Sequence, residues 1–338
     1  MEQEFTIVLS DPDVLAKVCG TNDSNLKLIE KYLGTPVFTR GNEISISDED
    51  TSTRQKFKFI IDRIFDEVSE AGSSGLDLVQ SILNTAFEGN SIKNNFNAAE
   101  FAIEIPGGTK KIYPKTINQA HLVESFRKND LVFAEGPAGT GKTFLAVAEC
   151  VRLLHLHKVS HIILTRPVVE AGENLGFLPG DLQDKINPYL RPLYDALYQI
   201  MGSENFMKNM EKGAIEVAPL AYMRGRTLDN AYIILDEAQN TTPAQMKMFL
   251  TRIGFGSKVI VTGDATQKDL APGTVSGLDV AQKVLKDIDD IAVCALTSKD
   301  VVRHPLVQKI VKAYEDYEKK ETARSQRKAA IKRDLKKR

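Results

Sequence analysis

Residues 136–143 read GPAGTGKT, wedged between the apolar run LVFAE (131–135) and the helix-forming run FLAVAECVRLL (144–154). A β-type run, a glycine-rich turn ending in Lys-Thr and a helix directly after it leave little freedom in folding. The glycines let successive N–H groups curl around phosphates, and the helix N-terminus favours negative charge. Gly136, Pro137, Ala138, Gly139, Thr140 and Gly141 form the cradle, Lys142 is placed to reach the β- and γ-phosphates, and Thr143 is placed to hold Mg²⁺. A nucleoside triphosphate with Mg²⁺ is therefore the expected ligand. No [NT]KxD guanine-reading sequence follows, so ATP is expected.

The flanking pattern agrees. LVFAEG, HIILTRP, AYIILDEA, KVIVTGD and IAVCALT are short, nearly continuous apolar runs separated by helical segments. Strands buried on both faces read this way, and helical crossovers make them parallel. An α/β core is expected from about residue 112.

Two further stretches carry chemistry. In ILDEAQN, Asp236 ends an apolar strand and can bind Mg²⁺ through its water shell, while Glu237 is placed as general base or water orienter. The next helix opens with Thr242-Pro243-Ala244-Gln245, a capping box with proline at the first helical position, and Met246, Phe249, Leu250 and Ile253 should face the core. In VTGDATQKDL a strand parallel to the Asp236 strand would end beside the γ-phosphate, where Gln267 can hydrogen-bond it or the attacking water.

Together, GxxxxGKT, DEAQ and GDxxQ resemble the ATPase core of superfamily 1 helicases, in which Gln119, 17 residues before Gly136, sits where an adenine-reading glutamine belongs. The likeness narrows with TRPVVEAGENLGFLPGDLQDKINPYLRPLYDAL (165–197), MRGRTL (223–228) and TSKDVVRHPLVQKIV (297–311). Over about residues 100–318 the chain looks like the PhoH-like ATPase family. That resemblance implies a single RecA-like P-loop NTPase core, ATP hydrolysis, a link to RNA metabolism and a partnership with a YbeY-type endoribonuclease. A single motor domain leaves the phosphate site open at an edge, without the arginine that stabilises charge on a transferring phosphoryl group. A neighbouring copy could supply it from Arg303, Arg252 or Arg226, with Arg303 favoured, and a homo-oligomer follows, hexameric by analogy with RecA-like rings.

Residues 1–70 are expected to form a small α+β domain in the order strand, helix, helix, strand, strand, helix, turning at Gly41-Asn42. The order resembles a KH domain, whose GxxG loop clamps nucleic-acid backbone. Here the loop is GTND, and Asp23 would repel phosphates, so protein contact is as reasonable a role as RNA binding. Residues 71–111 read as a connector with an amphipathic helix (Leu76, Val79, Leu83, Phe87), and 112–318 as the ATPase domain. Within 165–197, Arg166, Glu170 and Arg191 could line a nucleic-acid path, while Tyr189, Leu190, Leu193, Tyr194 and Leu197 could equally be packing. His155, His157 and His161 lack neighbouring carboxylates and read as a surface loop.

No uncharged apolar run approaches a membrane span, no basic leader opens the chain, and the three cysteines are scattered, so a cytoplasmic protein without membrane contact is expected. Three function classes follow: an RNA-linked ATPase that remodels or unwinds; a nucleotide-switched scaffold that recruits a nuclease or ribosomal partner; and a small-molecule kinase, for which no acceptor-pocket signature is present. The net charge of −1 conceals a basic tail, 319–338, with a net +8 against −9 for the rest. Such a tail suits a polyanion. A chain ending at residue 318 should bind single-stranded RNA more weakly and with a flatter dependence of log affinity on log salt. An unchanged slope in a salt titration would refute RNA contact by the tail.

Overall fold

The computed structural model describes residues 4–9, 11–71, 75–85, 87–88, 91–92, 98–106, 111–168, 182–302, 306–307, 310 and 313–314. The N-terminal part runs β1 (Phe5–Val8), α1 (Pro12–Cys19), α2 (Ser24–Leu33), β2 (Val37–Arg40), β3 (Glu43–Ile46) and α3 (Thr51–Ala71). Its strands pair antiparallel in the order β1-β3-β2, with Ile44 opposite both Ile7 and Thr39. Asp11 caps α1 by accepting from the Asp13 amide at 2.8 Å, with proline at the start of the helix. On α3 the helical spacing of Phe57, Ile60, Ile61, Ile64 and Val68 makes one stripe, and all five are buried against Val18, Ile29, Ile44 and Ile46. In the GTND loop Asn22 (φ 54°) and Asp23 (φ 57°) are both left-handed. Aspartate therefore stands in a conformation that glycine adopts freely and that costs other L-residues about 1–2 kcal/mol.

The connector helix differs from expectation. Helix α4 (Leu76–Thr85) buries Leu78, Val79, Ile82 and Leu83 in the N-terminal core, whereas Leu76 is half exposed. The apolar residues admit two overlapping stripes, and packing on α2 and α3 selects the 78/79/82/83 one. Phe87 falls beyond the helix, in β4 (Phe87–Glu88), which pairs with β5 (Ser91–Ile92). A second short pair, β6 (Ile103–Glu104) and β7 (Lys111–Ile112), follows. From β7 the chain is strapped to the N-terminal core. Tyr113 is buried in that core, Lys111 and Tyr113 both meet Glu67 at 3.2 Å, and Ser81 donates to the Pro114 carbonyl.

The larger part contains α5 (Ile117–Lys128), β8 (Leu131–Glu135), α6 (Lys142–His155), β9 (His161–Arg166), α7 (Leu182–Met201), α8 (Ser203–Glu211), β10 (Ile215–Pro219), β11 (Ala231–Leu235), α9 (Pro243–Leu250), β12 (Lys258–Gly263), α10 (Gly277–Leu285) and β13 (Ile291–Ala295). Six strands form one parallel sheet in the order β10-β9-β11-β12-β8-β13. Side chains alternate between its faces: Val132 and Ala134 pack with α5, α6 and α7, while Leu131 and Phe133 pack with α9 and α10. The strand absent from the sequence reading is β10. It lies at the edge, and its sequence IEVAP alternates and ends in proline, unlike the continuous apolar runs of the inner strands. Helix α9 begins at the expected capping box but ends at Leu250. Ile253 therefore lies past the helix and is 37% exposed, rather than facing the core. No helix among the described residues is long and apolar enough to cross a membrane.

Phe57→Ala should lower stability by about 3–5 kcal/mol, the usual cost of emptying a fully buried phenylalanine site. Urea denaturation followed by circular dichroism measures it, and a loss below about 1 kcal/mol would show that α3 does not organise its domain.

Candidate nucleotide site

A cleft of about 400 Å³ opens at the carboxyl ends of the parallel strands, where ligands of open α/β sheets bind. One wall is the loop between β8 and α6. Two of its glycines are structural necessities. A Cβ on Gly136 would lie 2.6 Å from the Leu296 carbonyl oxygen, and Gly141 is left-handed (φ 81°) with Gln119 Nε2 close behind it. Lys142 folds over the loop and donates to the carbonyls of Gly136 and Pro137 at 2.5 and 2.9 Å and to the Thr140 hydroxyl at 3.3 Å. Burial lowers the pKa of its ammonium, against the pull of Asp264, Asp236, Glu237 and Glu135.

The opposite wall comes from the ends of β9, β11 and β12. Asp236, just past β11, is buried, and its Oδ1 accepts hydroxyls from Thr143 at 2.7 Å and Thr262 at 2.6 Å. Thr143 Oγ1 and the Asp236 carboxylate thus lie side by side as hard oxygens, the donor type that Mg²⁺ takes directly or through its water shell. Glu237 follows in a left-handed conformation (φ 54°), unusual for glutamate. It sits in the cleft, with Oε2 accepting from Gln239 Nε2 at 2.5 Å.

Gln267 also reaches the cleft, where its amide donates to Asp264 Oδ2. Asp264 is itself a junction. The same Oδ2 accepts from the Ala138 amide at 3.0 Å, and Oδ1 accepts from the Thr266 amide and hydroxyl at 2.9 and 2.6 Å. Burial raises its pKa, but the Thr266 hydrogen bonds, the Gln267 amide and the Lys142 charge outweigh it and hold the carboxyl below its ordinary value.

The sequence reading missed two participants. Gln239 is fully buried; besides holding Glu237 it donates to the Gln267 carbonyl at 3.0 Å and accepts from the Asp264 amide at 3.0 Å. Its signal was only the last letter of DEAQ. Arg166, read as part of a nucleic-acid path, lines this cleft instead, 3.3 Å from Glu237 Oε1 and 3.9 Å from Asp236 Oδ2. Register explains it: Leu235 pairs with Thr165, and the Asp236 amide donates to the Thr165 carbonyl, so the next residues on each strand are neighbours.

Other expectations divide. Gln119 is buried beside the loop, outside the groups lining the cleft; its Nε2 donates to the Thr140 carbonyl at 2.9 Å and its Oε1 accepts from the Lys115 amide at 2.6 Å. On α7, Leu190, Leu193 and Leu197 are core residues, and Arg191 is exposed beside Asp195. Arg226 is held by Glu216 in a two-pronged pair at 2.6 and 2.7 Å, and Arg252 donates to the Met248 and Arg226 carbonyls at 3.2 Å. Arg303, Glu170 and the tail 319–338 lie outside the described residues.

With the loop, the carboxylate pair and Gln267 meeting at the carboxyl edge of one parallel sheet, the core is that of a P-loop ATPase. The chain belongs to the PhoH-like protein family, whose model matches residues 111–315. A PhoH-like protein of Bacillus subtilis (strain 168) is 50% identical over 310 residues, covering 91% of this chain and 96% of that protein. Protein PhoH of Escherichia coli (strain K12) is 46% identical over 209 residues, 61% of this chain and 59% of that one. Among solved structures, the Pif1 helicase of Candida albicans aligns at a TM-score of 0.28 and 17% identity, over 53% of this chain and 39% of that one, which adds nothing to the fold described above.

Asp300 braces the site from behind. Buried after β13, it accepts from Thr116 and Asn118 at the start of α5 at 2.6 and 2.9 Å, and from the Thr297 amide at 2.6 Å. Burial raises its pKa, but these bonds prevail and the net shift is downward. A lowered carboxyl stabilises the fold above the unfolded value near 4 and loses that contribution as pH falls through the folded value. Asp300→Asn should therefore cost about 2 kcal/mol at pH 7 and progressively less below pH 4, by urea denaturation across pH. A cost independent of pH would contradict the charged role.

Proposed function

We propose that this protein binds ATP with Mg²⁺ in the cleft and hydrolyses it in the service of RNA metabolism. The observation that carries the reading is the meeting of Lys142, Thr143, Asp236, Glu237 and Gln267 around one opening of suitable size. Lys142 and the loop amides would hold the β- and γ-phosphates. Thr143 directly and Asp236 through water would hold Mg²⁺, which would supply positive charge against that of the phosphates. Glu237 would orient a water and take its proton, while Gln267 would contact the γ-phosphate or that water. Gln119, beside the loop with its carboxamide on the Thr140 carbonyl and the Lys115 amide, would have to exchange one of those bonds to read adenine. The RNA side of the proposal is supported by the +8 tail and by the family resemblance, which also supplies an endoribonuclease of the YbeY type as partner.

A second reading, a nucleotide-switched scaffold, is favoured by one observation: Glu237, the residue that would activate water, is held by Gln239 on one side and Arg166 on the other. Steady-state ATP hydrolysis with and without single-stranded RNA separates the two. Hydrolysis should rise with RNA and fall about 100-fold or more in Glu237→Gln. Slow hydrolysis, indifferent to RNA, would transfer the conclusion to the scaffold.

A further inference from the structure

Phosphoryl transfer to water needs positive charge beside the transferring group, commonly an arginine that reaches in from outside the loop. The sequence alone points to a neighbouring copy for that arginine, from Arg303, Arg252 or Arg226. Of those candidates, Arg226 and Arg252 are spent on partners in their own chain, Glu216 for the first and backbone carbonyls for the second.

Arg166 has the required placement already. It ends β9, next to β11, and its side chain lines the cleft shared by Lys142 and Gln267. The guanidinium lies 3.3 Å from Glu237 and 3.9 Å from Asp236, so it stands among the groups that would surround the γ-phosphate. Of its five N–H donors, the described residues engage one in a hydrogen bond, to the Tyr189 carbonyl on α7 at 3.2 Å. A planar fork whose remaining donors make no hydrogen bond to the described residues, only partly screened from solvent and facing two carboxylates, suits phosphate oxygens better than a point charge would.

We propose that Arg166 is the phosphate-contacting arginine of this site and acts in cis. When a triphosphate enters, the guanidinium exchanges Glu237 for the γ-phosphate oxygens. One movement brings charge to the transferring group and releases Glu237 to orient water. The water oxygen then bonds to the γ-phosphorus, the bond to the β–γ bridging oxygen breaks, and ADP and inorganic phosphate leave. The water's proton passes to Glu237, and Arg166 contributes hydrogen bonds alone. Because the Tyr189 carbonyl holds the same guanidinium, the exchange is also felt by α7. The inference rests on the ATP-hydrolysing reading above.

The test compares full-length wild type, Arg166→Ala and Arg166→Lys by kcat for ATP, by ADP affinity in calorimetry and by thermal melting. In Arg166→Ala, kcat should fall about 100-fold or more while ADP, which lacks the γ-phosphate, binds within about threefold of wild type. Lysine, which keeps the charge but not the fork, should restore only a small part of kcat. An equimolar mixture of Arg166→Ala and Glu237→Gln chains should be no more active than its parts. The proposal is overturned if kcat stays within threefold in both variants, if ADP affinity and melting temperature fall in step with kcat, or if mixing restores activity, which would place the arginine in trans. If the wild type itself hydrolyses no ATP, the hydrolytic reading fails first, and this one with it.

Discussion

A single carboxylate oxygen, Oδ1 of Asp236, receives the hydroxyls of Thr143 and Thr262. One comes from the first turn of α6 and the other from β12, so this acceptor ties the helix behind the phosphate loop to two adjacent strands. Hydrogen bonds to an ionised acceptor in a buried setting are about twice as strong as neutral ones. The cleft depends on them, because the loop's other wall is built from the ends of the same strands.

From that anchor a continuous polar chain crosses the site. The Ala138 amide bonds Asp264, Asp264 bonds Gln267 and Gln239, Gln239 bonds Glu237, Glu237 pairs with Arg166, and Arg166 reaches the Tyr189 carbonyl on α7. Buried networks of this kind are costly when partly satisfied, so their members tend to keep one arrangement or change together. The site thus has few independent parts. A substitution at Gln239, which touches no cleft surface, disturbs three residues that do.

What was legible in the sequence follows from locality. The loop, the capping box, the four inner strands and the apolar edge strand β13 are encoded within a few residues of themselves, and each lies where the sequence puts it. β10 escaped because its sequence, IEVAP, alternates and ends in proline, whereas the other edge strand, β13, is a continuous apolar run. The face of α4 differs because two stripes are available and packing on α2 and α3 chooses between them. Arg166 and Gln239 were illegible for a different reason. Their roles arise where residues some 70 positions apart, or on different strands, are brought into register, and no local pattern announces it.

The strap at residues 111–118 has a mechanical consequence. Tyr113 is sunk in the N-terminal core, and Asn118, five residues later, is clasped by Asp300 beyond β13. Five residues span at most about 18 Å when fully extended, and this stretch already includes a helix start, so there is no slack to pay out. The N-terminal part is therefore joined to α5 by a short, engaged stretch of chain rather than by a loose cord. A pull applied to it would be delivered to α5 and, through the Gln119 carboxamide, to the Thr140 carbonyl of the loop, a handle rather than a trailing tether.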